Sequence, residues 1–546
     1  MGRNKQREKS PPIVNSGYSD GGASRTKNTI KTYTPTHYSS KEDIDRNLKT
    51  LRDRAHDLAI NSPVGSAAIN TEATNVIGAG LKLFPRVNHN VLGLTPEKAR
   101  EWSRQVKQEF ELWANSALAC DFLRRNNFAE LQRIAFMSYR VDGDCFCLFR
   151  RRVPTSFNPY SLRLQLIDAQ RVSNPIAGNA SFGALSEVEM KSVKGNNRIV
   201  NGIEVDSEGT QVAIWISNRI WNEPTTLNPE LKWQRVRWYG RDTGERNLLH
   251  ICADVRPDQF RGVPMLAPVI EALKQISRYA DAELTSAIIK SFFSIFFVQP
   301  LKNMDFNQIV ARSKDGDKDS DEPIVNVNEY KLGPATMAAL PRGVDVKAVD
   351  ASNAQSTFEL FVSSFLKQIG AGIGIPYEVL VKNFTASYSA SRAALLQAAD
   401  EFRQRKEFFI NDFCRPIYEQ WLAEAVAVGR ISAPGFFDDP IKRAAWSQSD
   451  WFGEQSHFLD PVKETQAMIL RLQSGLSTYR KEISEATGQD FDEIIETLAQ
   501  ERALINALPP TQEQAIAQSQ AESSDEGSDA ESPNTNQRRR TAEEEQ

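Results

Sequence analysis

Two long helical patterns separated by a polar insertion constrain the fold more than any other feature of this sequence. The first lies within residues 262–297, "GVPMLAPVIEALKQISRYADAELTSAIIKSFFSIFF", where apolar residues recur at steps of three or four. Such a helix would be roughly 45 Å long at about 1.5 Å per residue, which is typical of a strut rather than of a core element. Its apolar positions are Ile270, Leu273, Ile276, Ala280, Leu284, Ile288, Phe292 and Ile295.

The second helical pattern, "AQSTFELFVSSFLKQIG", returns the chain and is predicted to end at Gly370. Residues 301–353 lie between the two and contain a polar loop, "SKDGDKDSDEP", and two short strand-like pieces, "IVNVNEYKL" and "VDVKAVD". The sequence therefore predicts a strut, a small tip and a second strut.

Composition and charge narrow the class of protein. A chain of 546 residues with 40% hydrophobic and 25% charged residues is typical of several globular domains. The 66 Lys and Arg are offset by 70 Asp and Glu, so the net charge is -4, which argues against tight duplex binding by the whole surface. The five cysteines are odd in number and lack a disulfide spacing, so we expect free thiols in a reducing compartment.

The two ends of the sequence differ in charge. The first 31 residues are basic and the last 35 are mostly acidic and poor in apolar residues, so both ends are expected to be disordered arms. No signal segment is predicted at the start. The most apolar run, "SAIIKSFFSIFFVQP", contains Lys290 and is shorter than the roughly 20 residues of a membrane-spanning helix, which disfavours a membrane channel.

The N-terminal half reads as α+β. Helical patterns from about residue 41 are interrupted at Pro63, and a further helix is signalled by Thr95 as N-cap with Pro96 at the first helical position. A helix closed by Asp142-Gly143 precedes four segments of strand character, "DCFCLFRRR", "LRLQLIDAQRV", "GIEVDSEGTQVAIWIS" and "KWQRVRWYG".

The C-terminal half is helical apart from one irregular stretch, "VKNFTASYSASRAALLQAADEF", residues 381–402. Ser389 or Ser391 is expected to cap the helix that follows, with Arg392 in its first turn, where a cation opposes the helix dipole. Pro416 predicts a kink or restart of this helix, and a last helical block is expected from about residue 461 to 508.

Motifs for catalysis or metal binding are weak. The segment "IGAGIGIP" has neither the GxGxxG nor the GxxxxGK[ST] spacing, so its glycines are expected to end a helix rather than bind phosphate. Cys145 and Cys147 are interpreted as buried strand thiols rather than zinc ligands, and His250 as structural. The acidic alternation in the insertion lacks the Gly and Glu of an EF-hand, so a solvated loop is preferred to a calcium site; its residues are Asp315, Asp317, Asp319 and Asp321. No cofactor and no metal are expected.

Several stretches together resemble the lambda family of tailed-phage portal proteins, which form a twelve-fold ring at one capsid vertex. They are "LIDAQRV", "HICADVRPDQFRGVPMLAPVIEALKQISRYADAEL", "GIPYEVLV" and "YSASRAALLQAADEFRQRKEFF", in the order and spacing of the family from residue 39 to 508. The family tends to show Asn-Tyr-Ser-Ser before the last helix, where this chain has Ser387-Tyr388-Ser389-Ala390.

The resemblance implies a portal architecture within the α+β class, with wing, two-helix stem, small α/β clip, tunnel loop and helical crown in a dodecamer. The implied parts are a basic arm (1–38), a wing (39–262), stem helix 1 (263–296), a clip (297–352), stem helix 2 (353–372) and a tunnel loop (373–391). A kinked helix, wing return and crown (392–508) and a tail (509–546) follow.

The resemblance also implies function, partners and site residues. The ring would carry duplex DNA, without sequence preference, into the virion head during packaging and out at ejection, after assembly in the host cytoplasm. Partners would be the large terminase subunit at the clip, the major capsid or scaffold protein and head-tail connector proteins, with no membrane. The loop residues facing the channel would be Lys382, Asn383, Phe384, Thr385, Ser387, Tyr388 and Ser389. Arg392 would bond a neighbouring subunit or the loop's carbonyls, and the stem interface would include Glu271, Lys274, Arg278 and Asp281.

Two alternatives stay open. One is a nucleic-acid-processing enzyme or motor of the packaging machinery built on the central α+β region, although no phosphate-loop or carboxylate-metal motif supports it. The other is a scaffold or adaptor without a channel, which predicts monomers or solid assemblies.

Overall fold

The computed structural model describes residues 18, 22–175, 189–191, 196–220, 231–253, 255–292, 295–298, 345–348, 354–384, 387–453 and 461–507. The chain divides into two compact units, Met1–Gly453 and Glu454–Gln546. No helix among the described residues combines the length and apolar content needed to cross a bilayer.

Among the described residues, the first unit opens with a π-helical turn, Lys41–Asp45, followed by six α-helices and one short strand. Their bounds are α1 (Leu48–Asn61), α2 (Pro63–Val76), β1 (Lys82–Pro85), α3 (His89–Leu92), α4 (Pro96–Ala114), α5 (Ala117–Cys120) and α6 (Phe128–Asp142). Local signals explain these bounds. The Ser62 side chain accepts a hydrogen bond from the Gly65 N–H and Pro63 follows the cap, so the break expected at Pro63 is confirmed. Thr95 caps α4 in the same way, as predicted.

Two antiparallel sheets follow. The strands are β2 (Asp144–Arg151), β3 (Leu162–Ile167), β4 (Glu189–Lys191), β5 (Arg198–Val200), β6 (Ile203–Val205), β7 (Gln211–Ser217), β8 (Trp233–Arg237) and β9 (Leu248–Cys252). One sheet has the order β3-β2-β9 and the other is the meander β4-β5-β6-β7-β8. Each of the four segments predicted to be of strand character contains a strand, and the α+β reading of this half is confirmed.

The long helices and their surroundings complete this unit. They are α7 (Ile270–Phe292), β10 (Ile295–Val298), β11 (Asp345–Ala348), α8 (Ala354–Ile373), α9 (Tyr377–Val381), α10 (Tyr388–Phe409), α11 (Arg415–Ala427), α12 (Pro440–Trp446) and β12 (Ser449–Phe452). β1 pairs with β12, so the end of this unit returns to its beginning.

Two predicted helix ends are wrong. The first long helix ends at Phe292, and Ile295 begins a strand that pairs antiparallel with β11. The run "SIFFV" is β-branched and aromatic, and periodicity cannot distinguish helix from strand in so short an apolar run. The second long helix continues through Gly370 to Ile373, and Gly374, with φ +73°, follows it.

Other elements agree with the sequence. The segment "VDVKAVD" contains β11. A π-helical turn, Ile410–Cys414, separates α10 from α11, and Pro416 is in the first turn of α11, so the predicted restart is confirmed. The predicted polar loop and the four aspartates of the insertion lie outside the described residues.

Aromatic side chains form the centre of the first unit. Phe110 of α4 contacts the Trp421 ring of α11 edge-on at 5.1 Å, and the Phe128 ring of α6 stacks on Phe413 at 6.0 Å between centroids. All four side chains are buried. The turn and helix that follow α10 are therefore part of the same core as the N-terminal helices.

In the second unit the structure describes three helices, α13 (Pro461–Gln473), α14 (Tyr479–Thr487) and α15 (Phe491–Ala507). Arg471 donates two hydrogen bonds to the Glu482 carboxylate, at 2.9 and 2.7 Å. The helical block predicted for this region is confirmed.

Candidate functional site

The predicted tunnel loop is a short turn between helices rather than a long irregular segment. Residues 373–391 were expected to form the loop, but they include all of α9 and the first four residues of α10. Near the predicted bore-facing residues, the described non-helical residues are 382–384 and 387, and residues 385 and 386 lie outside the described residues. Thr385 therefore has no structural outcome.

The first three candidate residues follow α9 and are exposed. Lys382 caps this helix in the left-handed region, with φ 56°, and the Asn383 N–H donates to the Glu378 carbonyl at 3.1 Å. The Phe384 side chain is 47% exposed. These three residues are thus presented to the surroundings by a backbone that is held in place.

The serines have different roles from those expected. Ser387, and neither Ser389 nor Ser391, caps α10, since its hydroxyl accepts a hydrogen bond from the Ala390 N–H at 3.4 Å. Tyr388 and Ser389 are the first two residues of the helix. Ser391 is buried and its hydroxyl has no hydrogen-bond partner among the described residues.

Arg392 is the fifth residue of α10 and not in its first turn, so the expected conflict with the helix dipole does not arise. Its side chain is half-buried. No described residue forms a hydrogen bond or an ion pair with its guanidinium. Its predicted bond to a neighbouring subunit stays a prediction.

An ion cluster that the sequence did not predict fixes both ends of this segment. Arg405 of α10 donates from Nη2 to the Ile373 carbonyl at the end of α8, at 3.0 Å, and its Nη1 pairs with the fully buried Glu72 of α2. Arg140 of α6 donates to the same carboxylate at 3.0 Å. The end of α8 and the body of α10 are therefore held on the core formed by α2 and α6.

Sequence reasoning missed this cluster, although one signal was present. Glu72 is the one carboxylate in α2, among apolar neighbours such as Ile69 and Val76, where a charge is costly unless it is paired. Nothing in the sequence indicates which cations reach it.

The four predicted stem-interface residues lie along one side of α7, and all are exposed. The Glu271 carboxylate accepts a hydrogen bond from Gln275, and Lys274 is 3.9 Å from Asp57. α7 also packs against α8. The centroid of the Tyr279 ring lies 5.5 Å from that of Phe358 and 4.4 Å from that of Phe361. Arg278 and Asp281 complete the stripe.

The helix pair also exposes large apolar side chains. Leu284 and Ile288 of α7 are 62% and 47% exposed, and Leu360 and Phe361 of α8 are 68% and 37% exposed. Four such side chains on two neighbouring helices are unusual for a surface that remains in water.

A second ion cluster lies where β2 meets the segment before α7. Asp144 is fully buried, and its Oδ1 accepts hydrogen bonds from the Gly262 N–H at 2.6 Å and from His250 Nε2 at 3.0 Å. Its Oδ2 accepts from Arg261 Nε at 2.6 Å and from Arg52. Burial would raise the pKa of Asp144, but the two guanidinium groups outweigh it and hold the pKa well below its usual range.

This cluster explains a grouping that resembles a metal site. Asp144, His250 and Cys252 bring one ligand atom each within 4.8 Å of one another. Both carboxylate oxygens are occupied by protein donors, however, and the two adjacent guanidinium groups oppose a further cation. His250 also stacks on the Phe146 ring at 4.3 Å, which agrees with its interpretation as structural.

The strand cysteines are buried, and burial disfavours their thiolate forms. Cys145 and Cys147 are both fully buried in β2, as predicted. Burial raises the pKa of Cys147 to about 12, so its thiolate is not populated near neutral pH.

Comparison with known proteins gives consistent results. The family model "Phage portal protein, lambda family" matches residues 26–406. "Portal protein B" of Escherichia phage lambda is 25% identical over 494 residues, covering 87% of each chain, and the "Portal protein" of Escherichia phage N15 is 22% identical over 492 residues, covering 88% of each.

Among solved structures, a chain from the neck of a native gene transfer agent particle, computed with C12 symmetry, matches 84% of this chain and 94% of its own length, with 13% identity and a TM-score of 0.39. A chain from the virion of such a particle matches 80% and 92%, with 13% identity and a TM-score of 0.37. Because the family model spans most of the sequence, this chain belongs to the lambda family of phage portal proteins.

Proposed function

We propose that this portal protein forms a closed ring of twelve copies at one capsid vertex, through which duplex DNA enters during packaging and leaves during ejection. As a member of a phage portal family it is a structural component of the virion. The ring, its copy number and the passage of DNA are the proposal.

The observation that carries this proposal is the apolar surface of the α7–α8 pair. A lone chain leaves Leu284 and Leu360 mostly in water, and Ile288 and Phe361 partly exposed beside them. Burying such a side chain fully contributes about 1.5–3 kcal/mol, so contact with a neighbouring copy would be strongly favoured. When one face of each subunit contacts a different face of the next, the copies close into a ring if the rotation between them allows it.

The charged stripe on α7 supports the same arrangement. Glu271, Lys274, Arg278 and Asp281 carry both signs along one exposed side. Charges at the edge of an interface set register and orientation more than affinity. We assign them to the contact with the adjacent stem.

The exposed loop would face the channel. Lys382, Asn383 and Phe384 project from the end of α9, where the Asn383 N–H is bonded to the Glu378 carbonyl, and we assign these residues to the bore together with Thr385, Ser387, Tyr388 and Ser389. A few hydroxyl and amide groups touch phosphates without holding one register. With six to ten cationic contacts to phosphates, by contrast, the affinity for DNA falls about 10³–10⁵-fold over a modest increase in salt. Binding of that strength would oppose movement of the duplex through the channel.

The partners follow from this placement. We assign residues 297–352 as the clip, which docks the large terminase subunit. Residues 39–262 are assigned as the wing, which faces the major capsid or scaffold protein. Head-tail connector proteins are assigned to the opposite end of the ring. The terminase would supply the energy of packaging, and the portal ring would assemble in the host cytoplasm. The crown would be built from residues within 392–508.

Imaging of the purified chain tests the proposal directly. Electron microscopy of the full-length protein is expected to show rings with twelve-fold symmetry and a central opening wide enough for a duplex. Solid assemblies, or monomers at every concentration, would contradict it. ATPase or nuclease activity of the purified chain would favour the enzyme alternative, for which the Asp144 cluster offers no free carboxylate.

A further inference from the structure

A surface outside the proposed channel and stem combines arginines with exposed apolar side chains. It is formed by the loop after α5 and by the turn between β2 and β3. The Phe122 N–H donates to the Leu164 carbonyl at 2.8 Å, and the Asn158 amide donates to the Leu118 carbonyl at 3.4 Å. The two segments are thus adjacent, and we call them the arginine surface.

Arginines gather around one aromatic ring on this surface. The guanidinium carbons of Arg150 and Arg152 lie 4.9 and 4.6 Å from the centroid of the Phe122 ring. Arg152 also donates to the Phe122 carbonyl at 3.0 Å. Arg124 and Arg125 follow in the same loop and are exposed. The ring quadrupole holds two of these cations in place, so the positive charge is fixed rather than mobile.

The carboxylate of this loop does not neutralise the arginines. Asp121 is buried, and its oxygens accept hydrogen bonds from the backbone N–H groups of Leu123, Arg125 and Asn126. No described carboxylate forms an ion pair with Arg124, Arg125, Arg150 or Arg152. The neighbouring Arg151 shows the contrast, since it pairs with Glu424 at 2.9 Å.

Two guanidinium nitrogens are left without acceptors. Arg163 is 4% exposed, and its Nε has no hydrogen-bond partner among the described residues; the same holds for the buried Nε of Arg152. These two buried nitrogens are not reached by a partner, but their guanidinium charge adds to that of the exposed arginines beside them. An anionic group at the surface would offset this charge.

The apolar part of the surface identifies the kind of partner. Four large apolar side chains flank the arginines and are mostly exposed: Leu118, Leu123, Val153 and Phe157. Phe157, at 98% exposure, is held out by a turn in which Thr155 and Asn158 exchange backbone hydrogen bonds. A DNA backbone offers phosphates but nothing that would bury these side chains, whereas a polypeptide offers both carboxylates and apolar groups.

We propose that the arginine surface docks an acidic segment of another protein that carries apolar side chains among its carboxylates. The chain's own residues 509–546 fit poorly, because they are acidic but poor in apolar residues. The surface does not depend on the proposed channel.

Peptide binding to the full-length protein tests this. The probes are a fluorescent peptide of glutamates interspersed with leucine and phenylalanine, the same peptide with serine at the apolar positions, and a short DNA duplex. We expect the first probe to bind, and Arg124→Glu with Arg125→Glu to weaken it about tenfold or more. Lys98→Glu with Arg100→Glu makes the same charge change at exposed positions of α4 and is expected to leave binding unchanged.

The apolar contribution has its own variant. Phe157→Ser cannot disturb packing at 98% exposure, and it is expected to weaken the first peptide several-fold without changing the thermal unfolding temperature. The proposal is overturned if the unmodified protein does not bind the peptide, or if the serine peptide binds equally well. It is also overturned if the DNA duplex binds and is lost in the arginine variant while the peptide is unaffected.

Discussion

The ion cluster around Asp144 and the α7–α8 pair are linked by the segment at Arg261 and Gly262, which bonds Asp144 and precedes α7, but they differ in how completely their groups find partners within one chain. At Asp144, four protein donors occupy one buried carboxylate, and Phe146 covers the histidine that supplies one of them. On the helix pair, Leu284 and Leu360 stay mostly in water, and the described contacts of the charged stripe of α7 include the Gln275–Glu271 hydrogen bond and the 3.9 Å approach of Lys274 to Asp57.

The ion cluster is complete in a single folded chain, whereas we propose that the apolar surface of the helix pair is completed only by a neighbouring copy in the ring. A closed ion cluster contributes to the stability of the single subunit, whereas an open apolar surface contributes only after association. Substitutions in the two regions should therefore change different measurements.

The largest effect is expected at Asp144. Asp144→Asn leaves the buried guanidinium groups of Arg52 and Arg261 without a counter-charge, which costs about 3–5 kcal/mol of unfolding free energy. Urea unfolding followed by tryptophan fluorescence measures this. Asp53→Asn is the control, since Asp53 forms an exposed pair with Lys49 and its loss should cost no more than about 0.5 kcal/mol. Equal losses in the two variants would show that the cluster is not closed as described.

The opposite behaviour is expected on the helix pair. Leu284→Ser with Leu360→Ser should leave the unfolding free energy of the subunit almost unchanged, because both side chains are exposed. Losing two apolar contacts of about 1.5–3 kcal/mol each should raise the concentration needed for ring assembly at least about a hundredfold. Mass photometry measures the assembly. Leu112→Ser with Ile441→Ser changes equally exposed residues elsewhere, and a similar loss of rings there would contradict the assignment.

These two regions also differ in how far they could be predicted. The helix pair follows from apolar periodicity, and the caps at Thr95 and the restart at Pro416 follow from local chemistry. The ion clusters do not, because they join residues that are far apart: Glu72 and Arg405 are separated by 333 positions. A pattern within a short stretch of sequence cannot indicate a contact between residues so far apart in the chain.

The loop was predicted in place but not in detail. Three serines at alternate positions can each cap a helix, and the choice of Ser387 depends on its backbone angles, φ -57° and ψ 151°. Those angles follow from where α9 ends, and the sequence predicted no helix there. The wrong end of α7 has a related cause, since the strand at Ile295 needs the partner β11, which is remote in sequence.

The carboxylate of Asp142, two residues before Asp144, should make the stability of the subunit depend on pH. Burial raises the pKa of Asp142 to about 6 from its ordinary 3.8, and its Oδ1 has no hydrogen-bond partner among the described residues. Between these two pH values the folded chain binds more protons than the unfolded chain, so this group's contribution lowers stability as pH rises and the penalty is complete above pH 6.

Asp142→Asn removes that penalty. The variant should match the unmodified protein below the lower pKa and be more stable by up to about 3 kcal/mol above the higher one. Urea unfolding at a series of pH values measures the difference. A constant difference across the whole range would mean that the carboxylate does not titrate in this window.

The ion cluster of Arg405 and Glu72 ties the end of α8, just before α9 and the loop, to the helical core. Arg405→Gln removes charged hydrogen bonds to Glu72 and to the Ile373 carbonyl, worth about 1.5–3 kcal/mol. We expect faster amide hydrogen exchange in residues 376–384 with little change in α4. Arg403→Gln is the matched control on the same helix, because its pair with Asp400 is exposed. Unchanged exchange in the Arg405 variant would show that the loop is held by other contacts.

A small gain in stability is expected from a substitution at Lys382, where stability and function should separate. A lysine at φ 56° has a less favourable backbone than glycine, so Lys382→Gly should stabilise the subunit by about 0.5–1 kcal/mol. If this side chain faces the DNA channel, the same substitution should reduce the yield of packaged DNA, whereas Lys382→Arg keeps the charge and should preserve it. Thermal unfolding and a DNA packaging assay measure the two effects. A variant that is more stable and packages normally would leave the strained lysine without a channel role, because neither the fold nor DNA passage would then require a cation at that position.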